Sequence, residues 1–162
     1  MPWEDDFGTY AGTRLFLSAT RPTDNTETLW EGQTNWHEIT ITSVPNIQGR
    51  TYNTATISTV SSGHDRMKTG SYTLDTADFG IQWLPAQKGQ INAQAALIAR
   101  SLVGAAVVYQ DGSVGYFSAQ VSNLVESGGG SNDARTGTLS LLRQSDTLMA
   151  ATPVVPTEST GA

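Results

Sequence analysis

Ile39-Thr40-Ile41-Thr42, then Thr54-Ala55-Thr56-Ile57-Ser58-Thr59-Val60, then Ser61-Ser62-Gly63-His64-Asp65-Arg66-Met67-Lys68-Thr69-Gly70 are the residues on which the fold turns. The first two segments alternate aliphatic and hydroxyl side chains, the period-two pattern of a strand with one dry and one wet face. They predict strands over residues 36–44 and 50–60, separated by a turn at Pro45-Asn46 and Gly49. Thr, Ile and Val suit such pleated, half-buried surfaces. The third segment is too polar to bury itself. It runs on through Asp75, Asp78 and Gly80 before a strand at 79–84 returns to the body. A loop of this length inside a compact domain is usually functional or disordered, so it reads as a contact arm toward a second copy or a partner.

Working outward, residues 13–19 form a short strand with Leu15 and Leu17 on one face, and 20–35 form a polar loop anchored by Trp30. One helix is expected over 90–103. Ile91, Ala95, Ile98 and Leu102 recur at helical spacing and form its packing face, with Pro85 and Gly89 before it and Gly104 after it. A hairpin follows, in which strands 105–110 and 113–125 flank Asp111-Gly112, a pair that tolerates the positive φ a tight turn requires. Residues 127–133 are a glycine-rich loop and 137–142 a last strand. The fold class is therefore mainly β with one helix (α+β): a two-sheet β-sandwich or barrel flanked by that helix and a long polar loop. One domain is expected over 1–150, with an irregular arm at 1–12. Residues 151–162 form a Pro/Thr-rich tail that becomes ordered only against a neighbour.

Composition narrows the functions. The chain has 162 residues, enough for a substantial core. No apolar run approaches a membrane span, and the acidic start Met1-Pro2-Trp3-Glu4-Asp5-Asp6 lacks the features of a secretory signal. Cysteine is absent, which removes disulfides and thiolate metal sites and suits a reducing compartment. The formal net charge is −6, and the nine Lys and Arg are scattered singly, against the clustered cations that tight nucleic-acid binding needs.

Catalytic chemistry is hard to assemble from these residues, so no enzyme, cofactor or metal site is expected. His64-Asp65 has the composition of a dyad, but adjacent side chains in an extended segment diverge and no second His lies nearby. His37-Glu38 sits in a strand, where neighbours face opposite sides. Glu4-Asp5-Asp6 reads as a solvated acidic arm. Gly112-Ser113-Val114-Gly115 lacks the strand-to-helix setting of a nucleophile elbow, and Gly128–Gly130 precedes neither a helix nor a lysine. Trp3, Trp30, Trp36 and Trp83 could make a sugar-stacking platform, with at least half of them read as core or interface anchors.

The order of these segments resembles the tail tube (major tail) proteins of long-tailed bacteriophages. The resemblance is carried by strands around 45–49 and the polar run with Gly63-His64-Asp65 and Lys68-Thr69-Gly70. Asp78-Phe79-Gly80, the Gly89-Gln90 helix opening, and Asp-Gly followed by Tyr116-Phe117-Ser118-Ala119-Gln120-Val121 complete it. It spans roughly residues 13–142. It implies a structural virion protein whose copies close into hexameric rings, each contributing four strands to an inner barrel, with the rings stacked into a conduit for DNA. The implied partners are further copies of itself, the tail terminator, tape measure and tail-tip proteins, and DNA in transit without specific binding. The implied setting is the phage tail, assembled in the bacterial host cytoplasm, with no membrane involved.

About twenty-four strands at about 4.8 Å spacing and ~40° tilt give a barrel near 48 Å across, or about 38 Å after side chains, ample for a duplex. A wall of hydroxyls, amides and acids would let DNA slide. The lumen candidates are Thr40, Thr42, Thr54, Thr56 and Ser58. The inter-ring contact loop comprises Ser61, Ser62, His64, Asp65, Arg66, Lys68 and Asp75, whose mixed charges would fix register. A tail terminator or head–tail connector ring is the nearest alternative, and a carbohydrate-binding β-sandwich a more distant one.

Overall fold

The computed structural model describes residues 9–61 and 63–159. Ten strands and two helices follow in the order β1 (Arg14–Ser18), α1 (Glu27–Glu31), β2 (Trp36–Ile39), β3 (Ile41–Ser43), β4 (Thr51–Ser58), β5 (Asp65–Thr73), β6 (Ala77–Gln82), α2 (Lys88–Ala99), β7 (Leu102–Val108), β8 (Val114–Ser127), β9 (Thr136–Arg143) and β10 (Leu148–Met149). The fold is mainly β, as the sequence predicts, with two helices where one was expected.

One sheet runs β2-β1-β7-β8-β9-β6-β3, with β10 paired to β8, and β4–β5 stand apart as a two-stranded sheet. Every pairing is antiparallel. The path bends at two places. The fourteen-residue β8 gives its first half to β7 and its second half to β9, with an irregularity between Val121 and Asn123. At the other bend, the end strands β2 and β3 are separated in sequence only by Thr40. The expected single strand over 36–44 is thus bent, its first part paired with β1 and its last with β6. A strand that changes partners at a bend makes the corner between two packed leaves. One leaf is β2-β1-β7-β8 and the other is the second half of β8 with β9, β6 and β3. They do not close into a hydrogen-bonded barrel.

The core lies between the leaves. Leu15, Leu17, Ile39, Val107, Phe117 and Val121 meet Phe79, Ile81, Leu139 and Leu141 there, in the alternation that strand geometry imposes. The outer face of the first leaf is covered as well. Phe16, Trp30, Trp36, Ala106 and Tyr116 form a second cluster, with the rings of Trp30 and Tyr116 stacked at 5.6 Å. Trp30 arrives on the short α1, which the sequence presents as polar loop, and its indole N–H donates to Asn25 at 2.8 Å. The hairpin is present but its turn is shifted: β7 ends at Val108, the Gly112 N–H donates to the Tyr109 carbonyl so that Gln110 and Asp111 are the central residues, and Gly112 alone takes a positive φ, +89°.

Helix α2 corrects the expected packing face. Gly89, Gln90, Ala93 and Ala96 are its buried residues, whereas Ile91 is 49% and Ile98 76% exposed, Ala95 is exposed, and Leu102 has left the helix for β7. Small residues let the helix backbone approach β2 closely. A stripe of glycine and alanine carries little hydrophobic signal, so the isoleucines of the opposite face dominate the pattern. Buried Gln90 is fully occupied, donating to the Gln82 carbonyl at 2.7 Å and accepting from the Leu84 N–H at 3.2 Å. Gln87 holds the corner: its amide donates to the Thr40 hydroxyl at 3.1 Å and accepts from the Thr40 N–H at 3.3 Å.

The tail makes contacts of its own. Residues 150–159 lie along their own domain as a strap. The Ala150 N–H donates to the Val114 carbonyl, Thr152 to the Glu27 carboxylate, the Tyr116 hydroxyl to the Val154 carbonyl, and the Ser159 N–H to the Trp36 carbonyl. Glu158 accepts from the Glu38 N–H at 2.6 Å and meets His37 Nδ1 at 3.2 Å. These contacts lay the strap, as far as Ser159, against its own domain.

Candidate assembly surfaces

The predicted contact loop is largely strand. Asp65, Arg66 and Lys68 lie in β5, paired with β4 from Thr51↔Thr73 to Ser58↔Asp65. Every residue of β4 and β5 is exposed, so the pair is a ribbon standing clear of the body on both faces. This overturns the reading of residues 50–60 as half dry. It also explains why β5 resembles a loop: a strand wet on both sides has no reason to alternate. Ser61 and His64 flank the exposed tip, Asp75 lies in the exposed return to β6, and Ser62 falls outside the described residues.

The two ribbon faces differ. Pairing puts Tyr52 opposite Tyr72, Thr54 opposite Thr69, and Thr56 opposite Met67 on one face. The other face brings Ala55 opposite Lys68 and Ile57 opposite Arg66. The first face is hydroxyl-rich with an exposed methionine, and the second sets two cations beside apolar residues. At the root, the Arg50 guanidinium lies 4.2 Å from the Tyr72 ring centroid and pairs with Asp146. Its proton is held more tightly than usual, first by the Tyr52 hydroxyl and then by the Asp146 charge. Asp65 accepts a hydrogen bond from the Ser58 hydroxyl across the ribbon. Among the described residues no group of three His, Asp or Glu could hold a metal ion.

A second open surface is the outer face of the leaf β8-β9-β6-β3. Alternation with the buried Phe79, Ile81, Leu139 and Leu141 turns Asp78, Gln82, Thr136 and Thr138 outward, beside Asn123 and Val125 of β8. Thr42 is exposed on β3. The five lumen candidates therefore do not share one surface. Thr54, Thr56 and Ser58 belong to the ribbon, Thr42 to the leaf, and Thr40 is half-buried at the corner, where Gln87 occupies its hydroxyl. Unbroken Ile-Thr alternation along 39–42 conceals the change of partner at Thr40.

The tryptophans are anchors: Trp30 and Trp36 are buried in one stack and Trp83 packs against the core. Trp3 lies outside the described residues. His37 is buried against the tail and Glu38 pairs with Arg14 at 2.9 Å, as the opposite faces of a strand require. Among the described residues, no helix is long and apolar enough to cross a membrane.

No family model matches the chain, and no curated protein matches it in sequence. Solved structures do resemble it. A chain of the anti-feeding prophage (AFP) baseplate, a sixfold-symmetrised cryo-EM structure, superposes with a TM-score of 0.58 at 12% identity, covering 85% of this chain and 91% of that one. A chain of the PVC sheath/tube terminator, from an extracellular contractile injection system, gives 0.57 at 13% identity, with 90% and 98% covered. One of the PVC sheath–tube complex gives 0.56 at 13%, with 86% and 89% covered. With sequence identity this low the likeness speaks for architecture, and the architecture is that of chains found in the tube, terminator and baseplate assemblies of injection particles.

Proposed function

We propose that this chain is a structural subunit whose copies close into hexameric rings, the rings stacking into a phage-tail tube that conducts DNA. The observation that carries this reading is the ribbon β4–β5, exposed along its whole length on a body whose core is complete without it. An isolated two-stranded ribbon is marginally stable in water, so this one needs a surface to lie against, and the next ring supplies it. Its cationic face suits a body that is acidic overall.

The open leaf β8-β9-β6-β3 is the wall we assign to the lumen, in place of the ribbon threonines. Its hydroxyls, amides and the single Asp78 carboxylate offer phosphate no cation to dock on. Joining such leaves side by side would also remove exposed strand edges. The role is structural, with no catalytic step and no cofactor. The partners beyond further copies are a tail terminator, a tape measure protein and a tail tip, and the site of action is the virion tail.

A terminator ring is the second reading, favoured by the superposition that covers 98% of a chain from a sheath/tube terminator structure. Electron microscopy of the purified protein at rising concentration separates the two. Hollow tubes of stacked sixfold rings support the tube subunit, and discrete rings that never stack support the terminator. A protein that remains monomeric even when seeded with preformed tail tips refutes both.

A further inference from the structure

At the end of β9, the core-facing alternation of Leu139 and Leu141 places a guanidinium, that of Arg143, only 6% exposed. Arginine has five N–H donors. Here Nη2 reaches the Thr147 hydroxyl at 3.2 Å, and Nη1 makes a long 3.5 Å contact with the Gly49 carbonyl. Nε is buried with no partner. Two acids act on Arg143 electrostatically, but Asp146 is engaged by Arg50, and Asp75 makes no bond to it. A buried guanidinium without a carboxylate partner is strongly unfavourable, and burial accordingly loosens its proton. Arg143 lines a cleft of about 190 Å³ together with Gln48, Gly49, Arg50, Asp146 and Thr147.

We propose that this cleft is an oxyanion-binding site, in which the Arg143 guanidinium, through its unpartnered Nε and the weakly held Nη1, takes two oxygens of a carboxylate or phosphate group beside the Arg50–Asp146 pair. The guanidinium fork matches such a pair of acceptors, whereas a lysine offers only a point charge. Fifteen acidic residues against nine basic ones make an acidic side chain of a second copy one source of the group, and free phosphate is the other. Because residues 48–50 lead directly into β4, a filled cleft would also tie the root of the ribbon to β9.

The test is a titration of inorganic phosphate into the monomer of residues 1–162 at constant ionic strength, following the Arg143 Nε–Hε NMR resonance and the thermal midpoint. A saturable shift of that resonance with a rising midpoint is expected. Arg143→Lys, which keeps the charge and loses the fork, should weaken binding at least about tenfold. Arg100→Lys, at the exposed end of α2, should leave it unchanged. No saturation, or equal affinity in Arg143→Lys and the parent, overturns the proposal. The parent titration decides the point even if Arg143→Lys does not fold, and it holds whether or not tubes form.

Where assemblies do form, a second arm identifies the source. Dissolution by phosphate, but not by chloride of equal ionic strength, assigns the site to a neighbour's carboxylate. Assemblies that persist with the site saturated assign it to free phosphate.

Discussion

Gly89→Ala tests the packing of α2 where the usual rule predicts the opposite sign. Gly89 is the second residue of the helix, and replacing a helical glycine by alanine ordinarily stabilises by up to about 1 kcal/mol. Here the added Cβ would lie 2.5 Å from the Glu38 carbonyl oxygen and 2.7 Å from Ile39 Cγ1. Ordinary contact begins near 3.4 Å, so α2 must retreat by roughly 0.9 Å, enough to forfeit a quarter to a half of the dispersion well of each contact it loosens. Ala93, Ala96 and the Gln90 hydrogen bonds share that interface. Overpacking of this kind costs about 1–3 kcal/mol. The clashing atoms are backbone of Glu38 and the buried Ile39 side chain, which cannot swing aside. The upper part of that range, about 2–3 kcal/mol, therefore applies, and a full propensity gain of about 1 kcal/mol leaves a net loss of about 1–2 kcal/mol. At ~2–4 °C per kcal/mol for a chain of this size, the thermal midpoint should fall by roughly 2–8 °C. Urea and thermal unfolding of the monomer measure this, with Gly128→Ala as control, since nothing lies within 4 Å of its Cβ. A Gly89→Ala protein as stable as the parent, or more so, refutes the argument that close backbone approach positions this helix.

Replacing residues 51–73 with a short flexible linker should leave a folded monomer with its midpoint nearly unchanged and no tubes in the microscope, because every residue of β4 and β5 is exposed; normal tubes would remove the ribbon from the assembly account. Trp30→Ala should cost about 3–5 kcal/mol in denaturant unfolding, since it empties the stack on Tyr116 and leaves Asn25 without its donor. Burial pushes the Tyr116 hydroxyl up to about 12. With the folded pKa above the unfolded value, its contribution is intact below the unfolded pKa and is lost as pH rises toward 12. Absorbance should therefore show tyrosinate forming at Tyr116 only at strongly alkaline pH, and Tyr116→Phe should blunt the alkaline loss of stability. The Glu27 carboxyl is held below its ordinary value, first by the Thr152 N–H. That contribution is present above the unfolded carboxylate pKa and disappears as pH falls through the depressed one, so the protection factor of the Thr152 amide, its exchange rate relative to the unprotected rate at the same pH, should fall in acid.

What the sequence makes legible here is what local chemistry determines. Asp111-Gly112 marks its hairpin locally, through the positive φ that Gly112 takes, and the strands beside it follow. Phe79 and Ile81 declare their shared face because the other side of β6 is wet, whereas Leu15 and Leu17 share one by period alone on a strand buried on both sides. The ribbon escapes that logic, since both of its faces are wet and Asp65–Thr73 carries no alternation to detect. The bend at Thr40 escapes it because Ile-Thr alternation passes through the corner unbroken, and only Gln87, distant in sequence, marks the place. Helix α2 has a visible period attached to the wrong face, because Gly89, Ala93 and Ala96 work by being small. Arg143 gives no local sign at all: its burial depends on Gly49 and Thr147, which arrive from two separate turns.

The Thr40 corner bears on how the body would come apart. A sheet normally frays from its ends, where a strand has one neighbour to leave. Here both terminal strands of the pairing order belong to one continuous segment, residues 36–43. Peeling Trp36–Ile39 from β1 pulls through a single residue on Ile41–Ser43, and so on β6, while Gln87 transmits the same load to α2. The two leaves are thereby mechanically in series and should open as one cooperative unit, with amides on β1 and β6 reaching the same global exchange limit. The ribbon lies outside that loop of connections and should melt and reform without disturbing the body.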